Sequence, residues 1–414
     1  MTPKVVLLAA ALAGALWSGD RSAPATQETA ALYGEYGLYV MESGDTIEVR
    51  WLTAVPDSGF LTVRATGSGR GTDEIRLTTG RSEAHSASFR RPADGPLTLR
   101  YGAVGSEEDR HQTTIWPVLE RAPTGFGPVD SLFVLGDVHG EFDTLTAVLK
   151  NAGLIDSDAR WSGGRSHLVF LGDLFDRGSD VTRTLWLIYG LERQAEAAGG
   201  RVHVVLGNHE IMVLTNDLRY VSEKEQLIAR LHGTPYARLF DVRRSVLGKW
   251  LAAKPGLIRI GDVLLAHGGV SRDFAAYSLQ AFDDTLAAFM SEELFYRWSL
   301  PPDTVLPRIV VDSTALERRL DFFFGENSVF WHRSYVQADT LQEELRRVLD
   351  RFESELHVVA HTPADEIARR YEGALLAVDL NAPATQLLLL SREADRLRAF
   401  RYGAEGPAEL LQPD

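Results

Sequence analysis

The 414-residue chain has no cysteine, which removes disulfides, thiolate metal ligands, cysteine nucleophiles and cysteine-linked lipids in one step. It also lacks an apolar stretch of the roughly 20 residues needed to cross a bilayer. The only hydrophobic run of note, residues 5–17, is shorter, so no membrane span is expected. A basic surplus is missing too. Forty-three lysines and arginines against 57 acidic residues leave a formal charge of −14, which repels a polyphosphate backbone at long range and excludes nucleic acid as the main partner. Any anionic substrate must be held by local chemistry.

What is present is the composition of a folded protein, 45% hydrophobic and 24% charged, with length enough for two or three domains and a sizeable core. The run at residues 5–17 follows Lys4 and leads into a segment ending Ala23-Pro24-Ala25, a small-residue pattern suited to signal-peptidase cleavage. The expectation is a signal peptide over residues 1–25 and a periplasmic or secreted protein.

From about residue 36 to 119 the chain alternates apolar and polar residues, as in Ile47, Val49 and Trp51, in Leu61 and Val63, and in Leu97, Leu99 and Tyr101. Period two means half-buried strands. About seven such runs, separated by turns such as Ser43-Gly44-Asp45, predict a small antiparallel β-sandwich of immunoglobulin or fibronectin type over residues 30–120. It carries no catalytic cluster, and His85 and His111 read as surface or packing residues. A docking or adhesion role, with a partner bound through this sandwich, is one expectation for it. The Pro/Gly-rich stretch Ala122-Pro123-Thr124-Gly125-Phe126-Gly127-Pro128 reads as a linker over residues 121–130, because it should not continue a sheet.

From residue 131 to 414 short, fully apolar runs alternate with helical patterns, which predicts an α/β layer structure with buried strands. One helix carries Val181, Leu185, Ile188 and Leu191 on a face and stops at Gly199-Gly200; another should open at Asp339, with Gln342 three residues on, and carry Leu341, Leu345, Val348 and Phe352. His203 and His357 lie inside apolar runs and read as core. His167 and His232 show no partner in the sequence.

Five apolar runs end in polar clusters. The runs before Gly136-Asp137-Val138-His139-Gly140, Gly172-Asp173-Leu174-Phe175-Asp176-Arg177-Gly178, Gly207-Asn208-His209-Glu210, His267-Gly268-Gly269 and His361-Thr362-Pro363 are all strand-like. Carboxyl ends of strands in an open α/β sheet share one edge, so segments far apart in sequence can deliver these side chains to one place. Singly, each cluster reads as a capped turn or a satisfied histidine. Jointly, Asp137, His139, Asp173, Asn208, His267 and His361 form an oxygen and nitrogen donor set that suits Mn, Fe or Zn better than calcium. Six ligands exceed what one catalytic zinc takes, so two divalent ions sharing a carboxylate fit better. The flanking glycines are read as allowing close backbone approach to the ions.

This constellation resembles the calcineurin-like metallophosphoesterases. The Asp-x-x-Asp-Arg-Gly string and Gly-Asn-His-Glu are similar to those of the PPP-type phosphatases. Residues 192–210, Leu218-Arg219-Tyr220-Val221 and Phe330-Trp331-His332-Arg333-Ser334-Tyr335 resemble the bacterial Shewanella-like branch, whose pattern usually has glycine where this chain has Ser334. The resemblance spans roughly residues 131–402 and implies a two-sheet α/β/β/α sandwich. It further implies that Asp137 and His139 hold a first metal, that Asp173 bridges, and that Asn208, His267 and His361 hold a second. By the same resemblance Arg177 and Arg333 clamp phosphoryl oxygens, His209 protonates the leaving group and Asp176 orients it; His332 is read as a rim or packing residue. The implied activity is a phosphomonoesterase without a covalent intermediate, acting on a phosphorylated protein or a small phosphotyrosine-like ester. A nucleotide phosphatase or phosphodiesterase on the same scaffold, and a binding protein with a vestigial metal centre, are the competing readings.

Overall fold

The structure is a computed structural model that describes residues 37–65, 74–92, 94–106, 110–117, 121–301, 304–307, 312–393 and 396–411. The leader expected over residues 1–25 lies outside the described residues. The alternating N-terminal runs form five antiparallel strands among them: β1 (Tyr39–Ser43), β2 (Thr46–Ala65), β3 (Ile75–Arg90), β4 (Leu97–Ala103) and β5 (Arg110–Ile115). The alternating residues Ile47, Val49, Trp51, Leu61, Val63, Leu97, Leu99 and Tyr101 are all buried.

Among the described residues these strands make one hydrogen-bonded sheet, β1-β2-β4-β5 with β3 on β2, and the two-sheet sandwich that the alternation predicts is not confirmed by this pairing. Strand β2 runs through Pro56 and Ser58-Gly59 without ending and shifts register there. Phe60 pairs with Gly102 of β4, yet the indole N–H of Trp51 donates to Gly102 O at 3.3 Å. On a straight strand nine residues span about 30 Å, so β2 must bend back sharply at its bulges. One long bent strand thus serves both arms of the sheet. His85 packs inside it, stacked 5.1 Å from Trp51, and His111 lies tilted 5.5 Å from Tyr101.

The expected linker contains a strand. Gly125–Phe126 (β6) pairs in parallel with Arg259 and Ile260. A pair of residues at a sheet edge, flanked by Pro123 and Pro128, leaves the prolines out of the ladder, and so the stretch can extend a sheet after all.

The remaining strands are β7 (Ser131–Leu135), β8 (His167–Phe170), β9 (Arg201–Val204), β10 (Leu257–Ile260), β11 (Val263–Ala266) and β12 (Leu356–Val359). They continue with β13 (Ala368–Arg370), β14 (Leu375–Ala377), β15 (Leu387–Glu393), β16 (Arg396–Tyr402) and β17 (Glu409–Leu410). Together with β6 they form two six-stranded sheets, ordered β17-β16-β15-β7-β8-β9 and β13-β14-β12-β11-β10-β6. Alternation decides the layers. Leu132, Val134, Val169 and Leu171 face Ile258, Leu265, Val358 and Leu376 between the sheets, whereas Phe133, Leu135, Leu168 and Phe170 face the helices outside. Residues Val359, Leu375 and Ala377 on the outer face of the second sheet pack on Leu345 and Leu349, completing a layered α/β/β/α arrangement.

The helix Val181–Ala197 buries Val181, Leu185, Ile188 and Leu191, and Gly199 beyond its end takes φ +81, the left-handed stop that favours glycine. The second expected helix is shorter than its pattern. It spans Gln342–Arg351 with Leu341 as N-cap, because Asp339 accepts from Arg370 Nη1 at 2.9 Å instead of capping. The parallel pairs β7·β8·β9 and β11·β12·β14 bring their carboxyl ends to one edge of the molecule.

Candidate metal centre

Each polar cluster follows one of these parallel strands: Asp137 and His139 after β7, Asp173 after β8, Asn208 and His209 after β9, His267 after β11 and His361 after β12. All seven side chains are buried. The structure brings the six expected ligands together. His139 Nε2 lies 3.4 Å from Asp137 Oδ2 and 3.9 Å from Asp173 Oδ2. On the other side, His267 Nε2 lies 3.2 Å from Asp173 Oδ1 and 2.9 Å from Asn208 Oδ1. The backbone N–H of His361 donates to Asp137 Oδ1 at 3.2 Å. Ligand atoms of His139, Asp173 and His209, and of Asp173, His267 and His361, lie within 4.8 Å of one another, so Asp173 belongs to both groups.

Backbone carbonyls aim the imidazoles. Phe175 O takes His139 Nδ1 at 2.7 Å and Leu171 O takes His267 Nδ1 at 2.6 Å, which turns each Nε2 toward the carboxylates. The buried Nε2 atoms of His139 and His361 have no hydrogen-bond partner among the described residues. Burial opposes a charge on His267, yet Asp173 and Asp137 override it and push the imidazole up to about 10. Asp173 itself is held well below the usual carboxylate range: burial works against its charge, and His267 and His209 outweigh it. A buried carboxylate cluster that draws positive charge so strongly, with unpartnered imidazole nitrogens facing it, is the chemistry that fits divalent cations.

The loops holding these groups are strained. His139, Asp173, Asp176, Arg177 and His361 all have φ between +48 and +70, a region non-glycine residues occupy only when the surroundings impose it. The glycines answer a need between loops. A Cβ on Gly207 would collide with Asp173 Oδ1, and one on Gly178 with His139 O.

Beside the cluster, His209 Nδ1 lies 2.6 Å from Asp176 Oδ2, and its Nε2 lies 3.7 Å from Asp173 Oδ2. Burial, only partly offset by His209, pushes the Asp176 carboxyl up. Arg177 is exposed, with no carboxylate partner among the described residues. Arg333 is half-buried and donates through Nη1 to His361 O at 2.7 Å, placing it next to a metal-ligand candidate. His332 is buried against Tyr335, 4.8 Å between ring centroids, as a packing residue whose imidazole burial pushes down.

The other histidines have structural partners. His203 Nε2 meets His167 Nδ1 at 3.0 Å, His232 Nε2 meets Gly37 O at 2.8 Å, and His357 accepts from Val270 N at 3.1 Å. Two site residues escaped the sequence reading. Glu210 accepts backbone N–H bonds from Gly207, Asp173 and Leu174 at 2.7 to 2.8 Å, tying two ligand loops together. Asp379 follows β14, is buried, and is pushed up to about 8 by burial and by the charge of Asp137. Its signal was available, since Leu375-Leu376-Ala377-Val378 is a sixth apolar run ending in a carboxylate.

The family model for calcineurin-like phosphoesterases matches residues 131–365, the segment that builds this site. Shewanella-like protein phosphatase 2 of Arabidopsis thaliana is 43% identical over 101 residues, 24% of this chain and 26% of that protein. Shewanella-like protein phosphatase 1 of Plasmodium berghei is 23% identical over 240 residues, 56% of this chain and 60% of that protein. The chain therefore spans about a quarter and somewhat over half of these curated relatives. Among solved structures, a cold-active protein tyrosine phosphatase of a psychrophilic Shewanella species is 29% identical, with a TM-score of 0.61, over 78% of this chain and 97% of that one. The metal-type donor cluster, the strand-end motifs and the matched span place this chain in the calcineurin-like phosphoesterase family, with the Shewanella-like phosphatases as its branch.

Proposed function

We propose that the chain hydrolyses phosphate monoesters, with aryl phosphates of the phosphotyrosine kind as its substrate class. The carrying observation is the single polar edge on which six donor side chains converge beside an exposed arginine and a buried His209–Asp176 pair. Asp137, His139 and Asp173 would hold one cation, and Asp173, Asn208, His267 and His361 the other, with manganese, iron or zinc as the candidates. When bound, two such ions supply an activated water and neutralise phosphoryl charge.

The chain's own residues then divide the remaining work. Arg177, exposed and with no carboxylate partner among the described residues, offers its planar fork to two phosphoryl oxygens, and Arg333 adds a second guanidinium beside His361. Asp176 holds His209 Nδ1, which leaves Nε2 to deliver a proton to the departing oxygen. Tyr220 is 49% exposed with its ring 5.4 Å from that of His209, so a flat apolar surface lies where the leaving group must emerge. That position, and the tyrosine phosphatase activity named for the Shewanella relative, support an aryl over an alkyl ester. Export through the leader expected at residues 1–25 belongs to the same proposal.

The test strips the protein with a chelator, restores Mn, Fe and Zn separately, and compares an aryl phosphate, a phosphoserine peptide and a dinucleotide polyphosphate. Aryl preference that falls in Tyr220→Ala supports the reading. Preference for the dinucleotide overturns it in favour of a nucleotide phosphatase, the activity named for a Vibrio cholerae bis(5'-nucleosyl)-tetraphosphatase that is 31% identical over 165 residues, 39% of this chain and 53% of that protein.

A further inference from the structure

The N-terminal sheet reaches the catalytic loops through a buried chain of hydrogen bonds. Tyr39, at the start of β1, is 1% exposed, with its ring edge-on to His232 at 5.3 Å and to Phe240 at 5.9 Å. Its hydroxyl lies 2.9 Å from Thr182 Oγ1. The Thr182 hydroxyl donates to Glu225 Oε2 at 2.9 Å, so in the first link the tyrosine is the donor.

Thr182 is the second residue of the helix that starts four residues after Arg177. The first N–H groups of a helix need acceptors from outside it. Asp180, the N-cap, provides no side-chain bond, and Glu225 from the helix Glu223–Leu231 takes its place by accepting from Thr182 N at 3.1 Å. Two further contacts join the same segments. Lys224 Nζ lies 2.6 Å from Asp180 Oδ1, and Arg177 N donates to Tyr220 O at 2.8 Å. Residues 220–225 therefore grip residues 177–182 at three points, and Tyr39 closes the assembly from the N-terminal sheet. The gripped loop needs such support, because Asp176 and Arg177 sit at φ 70 and 62, a conformation that non-glycine residues keep only when neighbours over-determine it.

We infer that the N-terminal sheet is a working part of the phosphoryl clamp, with Tyr39 acting through Thr182 and Glu225 as a positioning residue for the loop that carries Asp176 and Arg177. The inference rests on the clamp role proposed for Arg177. The sheet has other bonds to the catalytic part, among them Arg50 Nη1 to Thr234 Oγ1 at 2.7 Å and Trp186 Nε1 to Leu38 O at 3.0 Å, but these do not touch the clamp loop.

The experiment uses the full metal-loaded chain with Tyr39→Phe, which keeps the packed ring and removes one hydroxyl. Loss of one buried hydrogen bond corresponds to about a three- to tenfold effect, expected here in kcat with KM changed less than about twofold. In an Arg177→Ala background the same change should cost less than about twofold, because the group being positioned is gone. Equal losses in both backgrounds, or no loss in either, overturn the inference. Arg50→Ala, which loosens the docked sheet elsewhere, should leave kcat unchanged; a fall as large as that of Tyr39→Phe overturns it too. Amide hydrogen exchange gives a readout independent of turnover: Arg177 N–H should exchange about tenfold faster in Tyr39→Phe, and unchanged exchange refutes the link. If Tyr39→Phe does not fold, the pair Thr182→Ser, expected to behave as wild type, and Thr182→Val, expected to show the losses, decides in its place. Should the wild-type chain hydrolyse none of the phosphate esters, the proposed function fails while exchange at Arg177 still decides the positioning link.

Discussion

Two histidines in different regions of this molecule, His267 and His357, are equally buried and behave oppositely. At the strand ends, His267 faces Asp173 and Asp137 and is pushed up to about 10; within the strands, His357 faces a backbone N–H and a carbonyl and burial pushes it down to about 4. His203 is likewise pushed well below its ordinary value by burial. The residue type and the burial are shared, and the neighbouring charge differs. Desolvation alone drives an ionisable group toward neutrality, and only opposing carboxylates reverse that. His361, also at a strand end, faces His267 and is pushed down to about 2 by burial and by that neighbour, so the contrast follows the charge beside each ring and not the region it sits in.

Four changes would break or sharpen this contrast. The largest effect is expected from Asp173→Asn, which removes the charge common to both ligand groups: turnover should fall by a factor on the order of a thousand, and elemental analysis should show fewer than two metals per chain. Retained turnover at full metal content would undo the strand-end half of the comparison. Next, His357→Ala should leave metal content untouched and lower unfolding free energy by about 2 to 4 kcal/mol, since it hollows the core and orphans Val270 N–H; denaturant titration measures it, and metal loss would contradict it.

Glu225 extends the comparison to an acid without an opposing charge close enough to win. Burial raises its carboxyl from an ordinary 4.5 to about 7. The folded state therefore binds this proton more tightly than the unfolded one. Its contribution to stability is full below about pH 4.5, is lost as pH rises through about 7, and then stays constant. Between pH 5 and 8 the wild type should lose up to about 3 kcal/mol more than Glu225→Gln, read from denaturant midpoints at each pH; parallel curves would refute the assignment.

The fourth effect is a ratio. His209→Ala should cost about a hundredfold on an alkyl phosphate and about tenfold on an aryl phosphate, whose leaving group needs protonation less. Equal losses on both would remove His209 from the acid role and leave only its packing against Asp176 and Tyr220.

The positions of the site were legible wherever a motif was local. Asp137 and His139, Asp173, Asp176 and Arg177, and Asn208 and His209 each sit within a few residues of the end of an apolar run, and the pleat of a parallel strand carries them to a common edge. Asp379 obeys the same rule at the end of Leu375-Leu376-Ala377-Val378, but with no histidine or glycine beside it the carboxylate carries no motif of its own. The pairing of the N-terminal strands was not legible in their alternation, because β2 bends through residues 53–59 without ending and pairs with both β3 and β4. The helix expected from Asp339 began late because Arg370, 31 residues away, claimed the capping carboxylate.

Composition and strand-end motifs by themselves determined the α/β class, the sulfur-free donor set and which loops carry it, because those are properties of neighbouring residues. Tertiary structure alone decided which imidazoles face carboxylates, which carboxylate faces both ligand groups, and that Tyr39 meets Thr182 across 143 residues. Charge state and long-range contact depend on what lies within a few ångströms in space, and a chain folded through three sheets sets that distance independently of separation along the sequence.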